Sequence, residues 1–211
     1  MIKDLPLVKE PLRVRDKELV IFRPADLGSF LEKETLKISD FPFWAKLWEA
    51  AIVLADFVAT LTPPKRILEI RAGLGVPGLV AAAFGHEVTL TDDEEGPLEI
   101  IRRSAQANGL SVTVAKLDWV KPDDLGEFEV IIGAEVVYAG RFFQPLFDLF
   151  RHYLLPGGEI YLAHDRERLR VLAPFLKMAE NQFEVATSIR RLRSGEDQYE
   201  IVLNRLRPKP L

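Results

Sequence analysis

The residues able to do chemistry in this chain gather in five short stretches. Leu68 to Leu79 reads LEIRAGLGVPGL, so that Glu69 is followed by a loop of Arg71, Ala72, Gly73 and Gly75. Glycines in such a loop let the backbone turn sharply and approach a ligand closely. Asp92 closes TLTD, Asp118 and Trp119 close LDW, Glu135 and Tyr138 lie in GAEVVY, and His164 and Asp165 close LAHD. Asp92 is suited to accept hydrogen bonds from a pair of ribose hydroxyls. Trp119 offers a flat apolar face to an adenine ring, and Asp118 an acceptor for its amino group. Together these residues point to an adenosine-bearing cofactor.

Those residues need elements to position them, and the apolar pattern supplies these. RILEI, HEVTL, VTVAK, FEVIIGA and GGEIYLAH are short apolar runs that read as strands. Between them GLVAAAFG, PLEIIRRSAQANG and FFQPLFDLFRHYL read as helices. Such alternation builds a parallel sheet with helices on both faces. After a helix near Glu167 to Ala179, FEVATSIRRLR and QYEIVLNRL flank the turn signal SGED and read as an antiparallel hairpin. Seven strands result, with one reversed member in the terminal pair. In an open sheet of this kind ligands bind beyond the carboxyl ends of the strands, where the polar residues fall.

Before this unit, LRVRDKELVIFRP reads as a hairpin, Leu12 to Val14 with Leu19 to Phe22, followed by a short helix. In FPFWAKLWEAAIVLADFVATL, Pro42 can open a helix in which Trp44, Leu47, Trp48, Ala51, Leu54, Ala55 and Val58 recur at helical spacing. The expected fold is α/β: a three-layer, doubly wound, seven-stranded and mostly parallel sheet. Residues 1–40 form a hairpin and helix extension, and residues 41–211 the main domain.

Composition removes several functions. With a net charge of -4 and a pI of about 5.5, the chain lacks the field that gathers nucleic acid. The absence of cysteine rules out disulfides and thiolate metal sites. His86, His152 and His164 are scattered without helical metal-ligand spacing, so no metal site is expected. No signal peptide or membrane segment is evident, and a cytoplasmic protein is expected.

GLGVPG matches the dinucleotide expression G-x-G-x-x-G, but a lone match is weak, and Ile70, Arg71 and Ala72 separate the strand from the glycines. The sequence resembles another family more closely, the seven-stranded S-adenosylmethionine-dependent methyltransferases. Glu69 to Gly75, EIRAGLG, fits that family's acidic-x-G-x-G-x-G loop except that Arg71 replaces the first glycine. Within the family it is similar to the protein lysine methyltransferases acting on chaperones and on electron-transfer flavoprotein. KLWEAAIVLADF, TLTD, LDW and the acidic-x-x-aromatic GAEVVY occur in the family's order. The resemblance implies a Rossmann-like methyltransferase fold, S-adenosyl-L-methionine as cofactor, and cofactor contacts from Trp48, Arg71, Ala72, Gly73, Gly75, Asp92, Trp119 and Ala134, to which the strand-end pattern adds Glu69 and Asp118. It also implies that Glu135 and Tyr138 line the entrance for a target amine, with a protein lysine as acceptor and neither nucleic acid nor membrane as partner. A small-molecule acceptor stays open beside it.

Plainer roles exist for several of these residues. Trp48 suits a core position as well as a cofactor edge, His164 suits a structural role, and Asp93, Glu94 and Glu95 suit an exposed helix start favoured by the helix dipole. Arg71 is the departure that matters. Its guanidinium either points to solvent, pairs with the cofactor's carboxylate or blocks the pocket. The competing functions are an NAD(P)-dependent oxidoreductase and a catalytically silent cofactor-binding or interaction protein.

Overall fold

The computed structural model describes residues 6–25 and 43–210. Two strands, β1 (Leu7–Val14) and β2 (Lys17–Pro24), form the N-terminal hairpin; β1 ends at Val14 as expected but begins earlier, and β2 is longer at both ends than the sequence implies. The helix expected after it, and Pro42, lie outside the described residues.

The next helix, α1, spans Glu49–Val58 rather than beginning near Phe41. Phe43–Ala45 forms a single 3-10 turn, and Trp48 is extended at φ -85° and ψ 140°, which stops helical continuity. The spacing imitates a helix because Trp44 and Leu47 turn toward the body of the protein from an irregular strap, while the Trp48 indole bonds back to the Phe43 carbonyl. Trp44 and Leu47 pack against the same core as α1.

The main sheet consists of β3 (Arg66–Glu69), β4 (Glu87–Asp92), β5 (Thr113–Lys116), β6 (Phe128–Ala134), β7 (Leu154–Asp165), β8 (Phe183–Ser194) and β9 (Asp197–Pro208). Their order is β5-β4-β3-β6-β7-β9-β8. β9 runs antiparallel to both β7 and β8, and the remaining pairings are parallel, as expected. Four further helices connect the strands: α2 (Val76–Ala83), α3 (Glu95–Ala107), α4 (Phe143–Tyr153) and α5 (Leu169–Ala179).

Strand periodicity explains the three layers, since successive side chains point to opposite faces. On β3, Ile67 packs into one core and Leu68 into the other, and on β6 Val130 and Ile132 share the core of Ile67 while Ile131 faces that of Leu68. The first core holds α1, α2, α3 and the hairpin residues Val14, Leu19 and Ile21; the second holds α4 and α5. The hairpin is also tied to α3 by polar contacts. Asn108 Oδ1 accepts from the Val20 amide at 2.8 Å, Asn108 Nδ2 donates to the Val20 carbonyl, and Ser104 Oγ accepts from the Phe22 amide.

The topology fixes where function sits. Strand order reverses between β3 and β6, which opens a crevice beyond their carboxyl ends. No helix among the described residues is long and apolar enough to cross a membrane.

Candidate active site

The loop after β3 is built by its neighbours as much as by its glycines. Gly73 and Gly75 adopt φ of +56° and +71°, in the left-handed region that glycine tolerates. The Ala72 amide donates to the Thr91 carbonyl, and Thr91 Oγ1 returns a bond to the Glu69 carbonyl at 2.7 Å. The loop therefore moves with the end of β4. A Cβ on Gly78 would lie 2.5 Å from Glu69 Oε2 and 2.7 Å from Leu90, so the helix can approach the sheet this closely only with glycine there.

Glu69 turns inward from the rim. Its side chain is 1% exposed and its Oε2 accepts from the Gly78 amide at 2.7 Å, beneath the loop. It supports the start of α2 through that bond. Burial pushes its carboxyl up to about 8, against the pull of the Gly78 hydrogen bond. Asp92 sits beside it and is buried too, so desolvation also raises its pKa. Its two oxygens accept from the Gly73 amide at 3.0 Å and the Glu94 amide at 3.2 Å. Each carboxylate oxygen has a second lone pair left for a ligand hydroxyl.

Arg71 is left-handed at φ +50°. Its Nη1 lies 3.1 Å from Asp93 Oδ1, and its guanidinium carbon lies 5.2 Å from the centre of the Tyr138 ring. The side chain thus lies between the ends of β4 and β6 and has protein partners at both. Asp93, Glu94 and Glu95 are exposed, as the helix-start reading has it, yet Asp93 is Arg71's partner and Glu94 accepts from Trp44 Nε1 at 3.2 Å.

At the end of β6, Glu135 is the second left-handed non-glycine residue on this rim, at φ +56°. Such a residue costs about 1–3 kcal/mol and persists where its surroundings determine it. Here the Glu135 amide donates to the Ala163 carbonyl, and its Oε1 accepts from the Asp165 amide at 2.6 Å. Oε2 lies 3.4 Å from Arg168 Nε. Burial raises the Glu135 pKa against the pull of the Asp165 amide and of Arg168, and the Asp165 and Glu49 carboxylates add negative charge nearby. Sequence reasoning missed Glu49 and Arg168. Glu49 follows Trp48 directly, which was the available signal; nothing marks Arg168 among its arginine neighbours.

His164 is fully buried and its pKa is pushed down to about 3 by desolvation, so the ring is neutral. Its Nε2 accepts from the Val137 amide at 3.0 Å. This is the structural role read from sequence, since the bond fixes the Glu135–Tyr138 loop. Tyr138 and Ala134 are half-buried on the rim, with Tyr138 packed on Phe142 at 4.9 Å. Trp119 is half-buried edge-on to Phe142, and Asp118 is exposed with Oδ1 accepting from the Val120 amide. Trp48 is half-buried, its Nε1 donating to the Phe43 carbonyl and its ring 4.3 Å from Lys46 Nζ.

Comparison with known proteins agrees with this geometry. A family model described as lysine methyltransferase matches residues 39–182. The chain is 32% identical over 170 residues to EEF1A lysine methyltransferase 3 of Mus musculus, covering 72% of this chain and 73% of that protein. It is 34% identical over 130 residues to histone-arginine methyltransferase METTL23 of Xenopus laevis, covering 56% of each. Among solved structures, the ribosomal protein L11 methylase of Lactobacillus delbrueckii subsp. bulgaricus has the same fold, with a TM-score of 0.60 at 21% identity over 78% of this chain and 81% of that one. The chain belongs to the lysine methyltransferase family and is an S-adenosylmethionine-dependent methyltransferase.

Proposed function

We propose that the enzyme methylates an amine of a protein side chain, lysine in the first place, at the entrance marked by Glu135 and Tyr138. One observation carries this reading. Glu135 is held in a strained backbone conformation with its carboxylate partly sequestered at the rim, in a negative field that Glu49 and Asp165 reinforce and the exposed Arg168 partly offsets. A cationic acceptor is what such a field attracts.

The residues present fit the cofactor. Asp92 keeps lone pairs free beside the glycine loop for ribose hydroxyls, Trp119 and Asp118 lie at the neighbouring strand end, and Arg71 to Gly73 and Ala134 are only half-buried. Trp48 borders the strap that covers Gly73, where the Trp44 carbonyl would lie 3.3 Å from an added Cβ. Gly75 is buried against Leu90 and Ile101 and shapes the turn rather than the ligand surface. When bound, S-adenosylmethionine supplies a sulfonium methyl group, which an unprotonated amine accepts as the carbon–sulfur bond breaks with its electron pair going to sulfur.

A free lysine has a pKa of about 10.4 and enters charged. Glu135 attracts that ammonium and orients it, and the raised carboxylate pKa brings the two groups' proton affinities closer. Tyr138 and Phe142 wall the entrance with aromatic surface and exclude water. Alignment and water exclusion then supply much of the rate.

The test is incubation of the purified protein with labelled S-adenosylmethionine and a protein extract from cells lacking this enzyme, with the modified residue mapped by mass spectrometry. Methyl-lysine absent from a Glu135→Gln control supports the reading. Methyl-arginine as the sole product, or label only in small molecules, contradicts it.

A further inference from the structure

Arg168 stands where a substrate cation would stand. It is the last residue of the 3-10 turn Arg166–Arg168, which Asp165 caps by accepting at Oδ1 from the Glu167 amide at 2.8 Å. From there Arg168 reaches back to Glu135 through one contact of 3.4 Å, made to Oε2, while Oε1 is held by the Asp165 amide. The pair is unequal: the Glu135 side chain is 14% exposed and that of Arg168 45%. A carboxylate so sheltered is costly without a cation, whereas a guanidinium so exposed loses little by leaving.

Beside Arg168 lies an open groove of about 540 Å³ between the Tyr138–Phe143 segment and the start of α5, bounded by Tyr138, Phe143, Glu167, Arg168, Arg170 and Pro174. Its charges are two arginines against one glutamate. Arg170 has no ion-pair partner among the described residues, whereas Arg166 is engaged by Glu200. The groove shares Tyr138 with the proposed amine entrance and Arg168 with the Glu135 pair, so a chain delivering its amine to Glu135 can lay its neighbouring residues there.

We propose that Arg168 is an exchangeable stand-in for the acceptor amine, and that on displacement it joins Arg170 in gripping a carboxylate next to the target lysine. Arg168 is then a positioning and specificity residue, and the preferred acceptor is a lysine with an acidic neighbour. This rests on the reading that Glu135 receives the amine. The free enzyme keeps its buried carboxylate neutralised, and the incoming segment satisfies both halves of the pair it opens.

The experiment measures binding of two synthetic peptides of equal length to the full chain saturated with S-adenosylhomocysteine. Each carries one central lysine, flanked by aspartate in one and by asparagine in the other. The wild type is expected to favour the aspartate peptide by about tenfold, the worth of one charge-assisted pair. Arg168→Ala is expected to abolish that preference while binding the asparagine peptide at least as tightly as the wild type does. Arg168→Lys is expected to restore part of the preference, which a merely structural role would not require. A preference unchanged in Arg168→Ala overturns the proposal, as does equal weakening of both peptides or binding of neither by the wild type. Concentration-dependent dimerisation that is lost in Arg170→Glu would assign the groove to a second copy and overturn it too. Glu135→Gln separates the two levels. If it weakens both peptides while Arg168→Ala alters nothing, only the exchange fails; if it weakens neither, the amine entrance itself has been misplaced.

Discussion

Replacing Arg71 by glycine, the residue expected at that position of the loop, asks whether the side chain obstructs or merely borders the cofactor. The stability terms oppose one another. Loss of the exposed ion pair with Asp93 costs about 0–1 kcal/mol, and loss of the guanidinium over Tyr138 about 0.5–1 kcal/mol. Relief of the left-handed conformation at φ +50° returns about 1–2 kcal/mol, against about 0.5–1 kcal/mol for glycine's extra freedom in the unfolded chain. The net change lies between about 1 kcal/mol stabilising and about 2 kcal/mol destabilising, centred near 0.5 kcal/mol destabilising, and guanidinium unfolding should show a midpoint close to that of the wild type. A change in cofactor affinity then reflects the site and not the fold. Because Asp93 and Tyr138 already engage the guanidinium, S-adenosylhomocysteine affinity by titration calorimetry should change by no more than about threefold, or about 0.65 kcal/mol. Tightening by tenfold would show that Arg71 blocks the pocket, and weakening by tenfold that it grips the cofactor directly; either refutes the reasoning.

Gly78→Ala places a Cβ 2.5 Å from Glu69 Oε2 and 2.7 Å from Leu90, so overpacking should cost about 1–3 kcal/mol and lower the midpoint in chemical unfolding; an unchanged midpoint would mean that α2 shifts freely. Glu69, with a pKa raised from 4.5 to about 8, keeps its proton in the native state while the unfolded chain has lost it. Its contribution to stability is therefore fully present below about pH 4.5 and is lost as pH rises toward 8, with a slope of at most about 1.4 kcal/mol per pH unit. Glu69→Gln should flatten that part of the stability profile, measured by urea unfolding at several pH values. Glu135→Gln should slow methyl transfer by at least about tenfold with S-adenosylhomocysteine affinity unchanged, a separation read by single-turnover and calorimetric measurements. Equal loss in both would make Glu135 part of the cofactor site.

Much of the fold was legible because strand and helix periods are enforced by burial on both faces of the sheet. Ile67 and Leu68, adjacent in sequence, enter different cores, and that alternation recurs on β6, β7 and β9. The one reversed strand followed from the SGED turn between two long runs. The strap around Trp44 to Trp48 was misread because apolar spacing reports which residues face inward, not whether the backbone between them is helical. The positions of Asp92, last in β4, and Glu135, next after β6, were legible from the strand pattern. Which way a side chain turns was not. Glu69 faces the Gly78 amide under the loop, and Arg71 reaches a residue 22 positions away in sequence, both decided by contacts formed only in the folded chain. Arg168 belonged to a run of arginines until Glu135 was placed beside it.

The most direct test of the account is titration of the wild-type protein and Asp92→Ala with S-adenosylhomocysteine, with NAD as comparison. The account predicts micromolar binding, near -8 kcal/mol, by the wild type, a loss of at least about tenfold in Asp92→Ala, and no heat with NAD. Absence of S-adenosylhomocysteine binding by the folded wild type, or affinity unaltered by Asp92→Ala, would contradict the placement of the cofactor on this loop.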